Sequence, residues 1–600
     1  MATESTPLLG QATARKEFHR WTMFLMIALA GSLLLASISM PLAKSSVQPF
    51  DVIVVGGGPA GSVLAARLVE TTNLSVLLIE AGDASQRSIG GTHFITVGNQ
   101  STNRTPFDVP FYWGHVAHME AFHWNVPNVF VAKALGGCGI HNAMLYGNIL
   151  LIHTCQTGKV RALPGDIRSW NMAPTWTWGV AQDIYLTTET FDGPANLSHH
   201  GYNGRVRTTR PRTMESTSQA FLNGCVEIGL TYSADFNAPN GRLGAGWYDF
   251  NIRDGVRDSA AAAFLSPLLA STHPTFQLLL NTLVEKVNFD SNGRAISVDI
   301  RQSHGQSSTV HASRAIVLAA GAIHTPKLLT LSGIGPKDVL QNLGIPVVAN
   351  LPLVGSNLQD HPAIAMTFQA KEPVDINMTT AWTQYLVSNE GWLATPGIAA
   401  GAFLIPPGAT TPQLQLTFFP RETEPQWSTV TPQNQVLVTI ALLAPEARNR
   451  VEVTSNQIDT PVQVASEIPQ STSEHLTPND AHKLVYGIQA VRQIAKSLAM
   501  SAVVGSEIMP GDRNSAKDDD LLSWVYASVY RNSHWVGSAK MGTTPSDGVV
   551  DARLRVMNVS NLYVADASVI PIIPNGNVHS TVVMVASRAA TLLADDLQNT

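Results

Sequence analysis

"FDVIVVGGGPAGSVLAARLVETTNLSVLLIEAG", Phe50 to Gly82, is the stretch whose reading decides the fold. Phe50 to Val55 is a near-continuous apolar run, the signature of a strand buried on both faces. Gly56, Gly58 and Gly61 follow as G-x-G-x-x-G. The first glycine allows a tight turn, the second lets backbone approach a pyrophosphate, and the third lets helix and strand pack closely. Ser62 to Glu70 then takes helical spacing, with Val63, Leu64 and Leu68 on the inner face, and the start of that helix offers N–H groups to phosphate. A second strand, Ser75 to Ile79, ends at Glu80, 19 residues after Gly61. That carboxylate is placed to accept hydrogen bonds from ribose hydroxyls, which favours FAD or NAD over NADP. Pro59 and Ala60, inside the glycine pattern, and Ala81, after the acid, complete the expected contacts of this unit. A tight strand–helix turn without a ligand is the plainer alternative, and the registered strand, helix, strand and acid argue against it.

"RAIVLAAGAIHTPKLLTLSGIG", Arg314 to Gly335, supplies another strand, Ala315 to Ala320, ending at Gly321. A glycine at a strand end marks close backbone approach, expected here toward a bound flavin, with one more βα unit as the plainer alternative.

The chain has 600 residues, too many for one simple core. Its net charge of −6 and the lack of any long basic run give no support to nucleic-acid binding. Three cysteines, Cys138, Cys155 and Cys225, have neither disulfide-framework nor metal spacing, and no metal centre is expected. Trp21 to Ala43 is uncharged over 23 residues, enough to cross a hydrocarbon core of about 30 Å. Arg15, Lys16 and Arg20 precede it, so the positive-inside rule puts residues 1–20 in the cytosol and the remainder in the lumen or outside. The expectation is a transmembrane signal-anchor at 21–43; a cleaved signal peptide is the rival and a buried helix the plain alternative. "ESTPLL", with Glu4 ahead of Leu8 and Leu9, resembles an acidic dileucine signal of endosomal and vacuolar membrane proteins.

Together these segments resemble the glucose–methanol–choline (GMC) oxidoreductases. "AKALGGCGIHNAMLY" (Ala132 to Tyr146) is similar to the family's first signature and "GAIHTPKLLTLSGIG" (Gly321 to Gly335) to its second. Further similar blocks are "GVRDSAAAAFLSPLL", "LPLVGSNLQDHP", "HWVGSAKMG", "GVVDARLRVMNVSNLYVADASVIP" and "GNVHSTVVMVASRAATLL", in family order. The resemblance implies FAD and an α/β plus α+β architecture. A Rossmann-like FAD-binding domain, discontinuous over 49–360 and 525–600, would join a substrate-binding domain at 361–524 built on an antiparallel sheet. Trp382, Tyr385, Trp392, Phe418, Phe419 and Trp427 lie in that substrate region as candidate pocket residues, with ordinary core or surface packing as the alternative. The implied activity is oxidation of an alcohol to an aldehyde or ketone, or of a sugar to a lactone, with O₂ or a quinone reoxidising the flavin. A hydroxynitrile-lyase-like enzyme and a catalytically silent flavin-binding protein are the alternatives. A fatty-acid photoenzyme is disfavoured, because 361–524 lacks the cysteine that branch uses.

Alcohol oxidation needs a proton acceptor beside the cofactor, and histidine titrates in the right range. The resemblance places His534 at the catalytic position and His579 at a second active-site position that is His or Asn in the family, with Pro574 and Asn575 shaping the nearby loop. It further implies cofactor contacts from Gly136, Gly137, Cys138, His141, Asn142, Ala143, Met144, Val284, Gly321, Asp566, Ala567 and Asn577. Some members carry the flavin covalently on a histidine spaced like His141, and others bind it non-covalently; both readings stand. The family usually runs from the aromatic at Tyr146 directly to an Arg, an acid and a Trp. Here Arg161, Asp166 and Trp170 follow only after 13 extra residues, Gly147 to Lys159. These are either a genuine loop or a short unspliced intron, and the spacing restored by their deletion favours the second.

Overall fold

The computed structural model describes residues 49–142, 160–194, 198–210, 215–238, 241–372, 376–420, 434–467, 476–511 and 518–598. Outside them lie the segment Trp21 to Ala43, the dileucine-like stretch, Ala143, Met144, residues 147–159 and Trp427. Among the described residues, no helix is long and apolar enough to cross a membrane.

The nucleotide unit forms as its periodicity demands. Phe50–Val55 pairs in parallel with Val76–Ile79 on one side and with the end of Ser307–Leu318 on the other, Val52 lying opposite both Val76 and Ala315. Helix Pro59–Thr71 follows with proline in its first turn, where no amide donor is needed. Phe276–Leu279 extends the sheet beyond Val76–Ile79, and Leu562–Val564 pairs in parallel with Ser307–Leu318. The long strand therefore works twice. Its apolar end, Ala315–Leu318, is sandwiched between parallel neighbours. Its polar beginning pairs antiparallel with Ala295–Gln302, which pairs with Thr282–Phe289. The strand read as Ala315 to Ala320 starts earlier than expected because its first half is a half-exposed ribbon without the buried strand's apolar run.

The last strand and the last helix complete this body from the far end of the chain. Helix Val578–Gln598 packs against Pro59–Thr71, its buried face running through Val582, Val585, Ala589 and Leu593.

The second sheet is antiparallel, in the spatial order Val504–Met509, Pro362–Ala370, Gln435–Leu442, Leu414–Phe419, Ala400–Leu404, Gly244–Trp247. Tyr530–Arg531 pairs with the start of Pro362–Ala370. Strand alternation gives it two apolar faces. Ile364, Met366 and Phe368 join Leu416, Phe418 and Ile440 on one side, beneath helix Pro478–Lys496. Ala365, Phe403, Phe419 and Leu437 pack on the other. Two of its strands, Gly244–Trp247 and Tyr530–Arg531, come from outside 361–524.

Candidate active site

The ends of Phe50–Val55, Val76–Ile79 and Ser307–Leu318 open into one cleft lined by Gly56, Gly58, Pro59, Ala60, Glu80, Ala81, Gly137, Cys138, Asn142, Val284, Gly321, Asp566, Ala567 and His579. Gly61 and Gly136 shape it from behind. A Cβ on Gly61 would stand 1.9 Å from the Gly56 carbonyl oxygen, and one on Gly56 (φ +105°) 2.5 Å from that of Ala319. Helix and strand can approach this closely only as glycine. The Gly136 N–H donates to the Gly57 carbonyl at 2.8 Å, and a Cβ on Gly137 would lie 2.7 Å from Gly58 Cα. The two glycine turns are stacked backbone to backbone.

Glu80 already accepts from the Gly57 and Gly82 amides, each at 2.8 Å. Each carboxylate oxygen accepts more than one hydrogen bond, so the pair fixes the carboxylate at the cleft wall and leaves capacity for hydroxyl donors. Burial raises its pKa, and those amides work against the rise. Asp566 has the corresponding role at the other wall: it accepts from the Gly321 amide at 2.8 Å and the Thr325 hydroxyl at 2.6 Å, and its other oxygen takes Ser568. A bare helix start, a fixed acid and two stacked glycine turns in one cleft fit FAD.

The reacting end is built around His534, which is fully buried. Its Nδ1 lies 2.8 Å from Nδ1 of His361, and its Nε2 lies 3.5 Å from the amide nitrogen of Asn577. Its neighbours Ser533 and Trp535 line the cleft. Asn577, expected as a cofactor contact, is thus brought to His534. Asn577 immediately precedes helix Val578–Gln598. His579, in the first turn of that helix, lines the cleft beside the glycine turn, its Cε1 3.3 Å from where a Cβ on Gly139 would be.

His141 is not among the residues that line the cleft. Its ring is buried against Phe130 and His123, with centroids 4.7 and 5.2 Å away, and neither ring nitrogen has a hydrogen-bond partner among the described residues. Burial, with the charges of His123 and Arg257, pushes its pKa well below the ordinary value. The adjoining Asn142 lines the cleft. Arg257, from the "GVRDS" block, holds Asn142 through its carbonyl and side-chain oxygens, both at 2.8 Å.

Sequence reading assigned no role to His361, Asp360 or Arg257, although two of the similar blocks contain them. Only the adjacency of those blocks to the signatures could have flagged them. None of the described aromatics proposed for a pocket lines the cleft: Phe418 stacks on Phe221 at 4.8 Å, and Trp382 meets Tyr112 at 5.4 Å in a separate core cluster. Asp166 caps its own short helix by accepting the Leu163 amide at 2.6 Å, and Trp170 donates to the Ile572 carbonyl at 3.0 Å. Arg161 pairs with buried Glu189, which accepts from His200 Nδ1 at 3.0 Å; Nε2 of His200 reaches Asp235 at 2.9 Å. His199 joins Asp235 to complete the one His/Asp cluster of metal-ligating type among the described residues, but its atoms are already hydrogen-bonded to each other.

Comparison with known proteins agrees with this geometry. The family models described as GMC oxidoreductase match residues 50–363 and 445–586. The chain is 30% identical over 564 residues to the oxygen-dependent choline dehydrogenase of Vibrio vulnificus, covering 91% of this chain and 94% of that protein. It is 29% identical to the choline oxidase of Arthrobacter globiformis, covering 91% and 95%. The fold is shared with a pyridoxine 4-oxidase from Mesorbium loti, at TM-score 0.74, 24% identity and coverage of 90% and 98%. The glycine cradle and these matches, which together span most of the chain, lead to one conclusion: it belongs to the GMC oxidoreductase family, FAD-dependent enzymes that oxidise CH–OH donors.

Proposed function

We propose that His534 is the base of this oxidation, taking the donor's hydroxyl proton at Nε2 while Asn577 holds the oxygen it leaves. The single observation carrying this reading is the contact of His534 with His361 on one ring nitrogen and Asn577 on the other. Burial, chiefly, pushes the His361 pKa well below the ordinary value, so that ring stays neutral. It can then accept the Nδ1 proton of His534, which puts the basic lone pair of His534 on Nε2. The Asn577 amide stands beside that lone pair and offers N–H groups to an alkoxide-like oxygen. Bound FAD would supply the two-electron acceptor, taking the hydride at N5. Glu80, Asp566 and the glycine turns would hold its dinucleotide part, with His579 and Asn142 beside the turn that faces the ring. The test is anaerobic mixing of the holoenzyme with a panel of alcohols and sugars: bleaching of the flavin supports the reading, and a flavin that no donor bleaches overturns it. Oxygen uptake against quinone reduction then distinguishes the acceptor.

The N-terminal segment supports a second proposal, that 21–43 anchors the chain with its catalytic part lumenal or extracellular, in an endosomal or vacuolar membrane. Its support is the uncharged 23-residue run behind Arg15, Lys16 and Arg20. Retention of the full chain in membranes washed with alkaline carbonate is expected; release into the wash overturns it.

A further inference from the structure

We infer that Asp360 is a positioning residue for the base, acting through His534 from a site that never touches the donor. The inference rests on the reading of His534 given above. The side chain of Asp360 is buried, and all its described contacts are backbone amides. One carboxylate oxygen accepts from the amides of His361 at 2.8 Å and His534 at 2.6 Å; the other accepts from Ser533 at 3.0 Å. Ser533 has φ +57°, a left-handed conformation that a non-glycine residue adopts only at a cost. The carboxylate therefore secures a strained peptide directly ahead of the base. The next residue along, His361, holds the His534 ring, so adjacent residues fix backbone and imidazole together. Gln359 extends the grip: its backbone pairs with Val536, and its side chain accepts from the Ile573 amide and donates to the Pro571 carbonyl.

The placement has an electrical consequence. A carboxylate 2.6 Å from the His534 amide favours the imidazolium that forms as the proton is taken. Burial lifts the Asp360 pKa to about 7, and the three amides and the charge of Arg531 only partly oppose the lift. The groups acting on this carboxylate are thus the amides of His361, His534 and Ser533 and the charge of Arg531. Below neutrality it becomes a carboxylic acid, and its oxygens no longer serve all three amides equally.

The experiment is stopped-flow reduction of the holoenzyme, as a function of pH, for wild type, Asp360→Asn, His534→Asn and the double variant, with the alcohol from the panel that bleaches wild type fastest. For Asp360→Asn, the expected result is a plateau rate at least tenfold lower, an apparent donor Kd changed less than threefold, and an acidic limb moved to lower pH. Asp360→Glu should recover part of the rate. In the His534→Asn background, the Asp360→Asn change should have little further effect, because coupled residues are non-additive. A plateau that falls with its limb in place, an unchanged plateau, or an undiminished effect in the His534→Asn background each overturns the inference. If Asp360→Asn does not fold, Asp360→Glu decides: its displaced carboxylate should lower the plateau with the donor Kd changed less than threefold, and a wild-type plateau overturns the inference. A His534→Asn variant that reduces at the wild-type rate condemns the base reading itself, separately from Asp360.

Discussion

His534 and Asn577 face one another across 3.5 Å, although they stand 43 residues apart and on opposite sides of the strand Leu562–Val564. In the proposed mechanism that contact divides the work at the reacting end, His534 moving the proton and Asn577 steadying the oxygen. Removing a positioned general base costs roughly 10²–10⁴-fold. His534→Ala should therefore slow anaerobic flavin reduction by about that factor, with the flavin still bound. An undiminished reduction rate would show that the proton goes elsewhere.

Asn577→Ala and His579→Ala should separate cleanly. Loss of one donor at a developing oxyanion costs on the order of 10²-fold in rate, and that loss is expected for Asn577. His579 lies beside the glycine turn, so its change should show in the flavin midpoint potential and in cofactor retention, with a smaller effect on the rate. Spectroelectrochemistry of both variants checks the division; a rate loss at His579 equal to that at Asn577 would reverse it.

Acid precipitation of the holoenzyme reads the position of His141 directly. With its ring packed on Phe130 and His123, the flavin should pass into the supernatant. A pellet that stays yellow after denaturation would show that the ring reaches the cofactor in the loaded protein.

His200 makes stability depend on pH. Burial disfavours its charge, but the hydrogen bonds and charges of Asp235 and Glu189 overcome that, and its pKa stands above the ordinary value. Burial likewise opposes the Asp235 charge, and His200 outweighs it, holding Asp235 at about 2. The stabilisation from His200 is therefore fully present below its unfolded pKa, about 6.5, and is lost as pH rises through the raised folded value. The part from Asp235 persists until pH falls toward 2. Breaking a buried pair costs on the order of 3–5 kcal/mol, so His200→Asn should lower the melting temperature markedly at pH 5.5 and less at pH 9. Equal losses at both would remove the ionic account.

Gly61→Ala should be among the most damaging single methyl additions in the chain. The new Cβ would sit 1.9 Å from the Gly56 carbonyl oxygen, in a backbone that cannot yield without opening the nucleotide turn. Purified protein without flavin absorbance is the expected outcome.

The nucleotide unit was legible in the sequence because it is local. Strand, turn, helix and acid fall within 33 residues, and each leaves a periodic or glycine signature. The discontinuous body followed from the similar blocks. What the sequence hid was direction. Asn577 and His579 are both polar residues at a helix start, and nothing in their spacing marks Asn577 as a residue that meets His534. His361 lies 173 residues from His534 and reaches it by strand and loop packing that no spacing rule encodes. The side to which the His141 ring turns depends on packing against Phe130, which is equally silent in a one-dimensional reading.

The pairing of helix Val578–Gln598 with Pro59–Thr71 also has a consequence for synthesis. The helix carrying the phosphate-facing turn emerges from the ribosome among the first described elements, yet its packing partner is among the very last. A nascent chain that has reached residue 561 contains His534, Glu80 and both glycine turns, but lacks Leu562–Val564, Asp566 and Asn577. Such long-range closure is slow compared with local pairing. The cofactor cradle is thus finished only once residues 562–598 have joined the body, and flavin loading waits on that late closure.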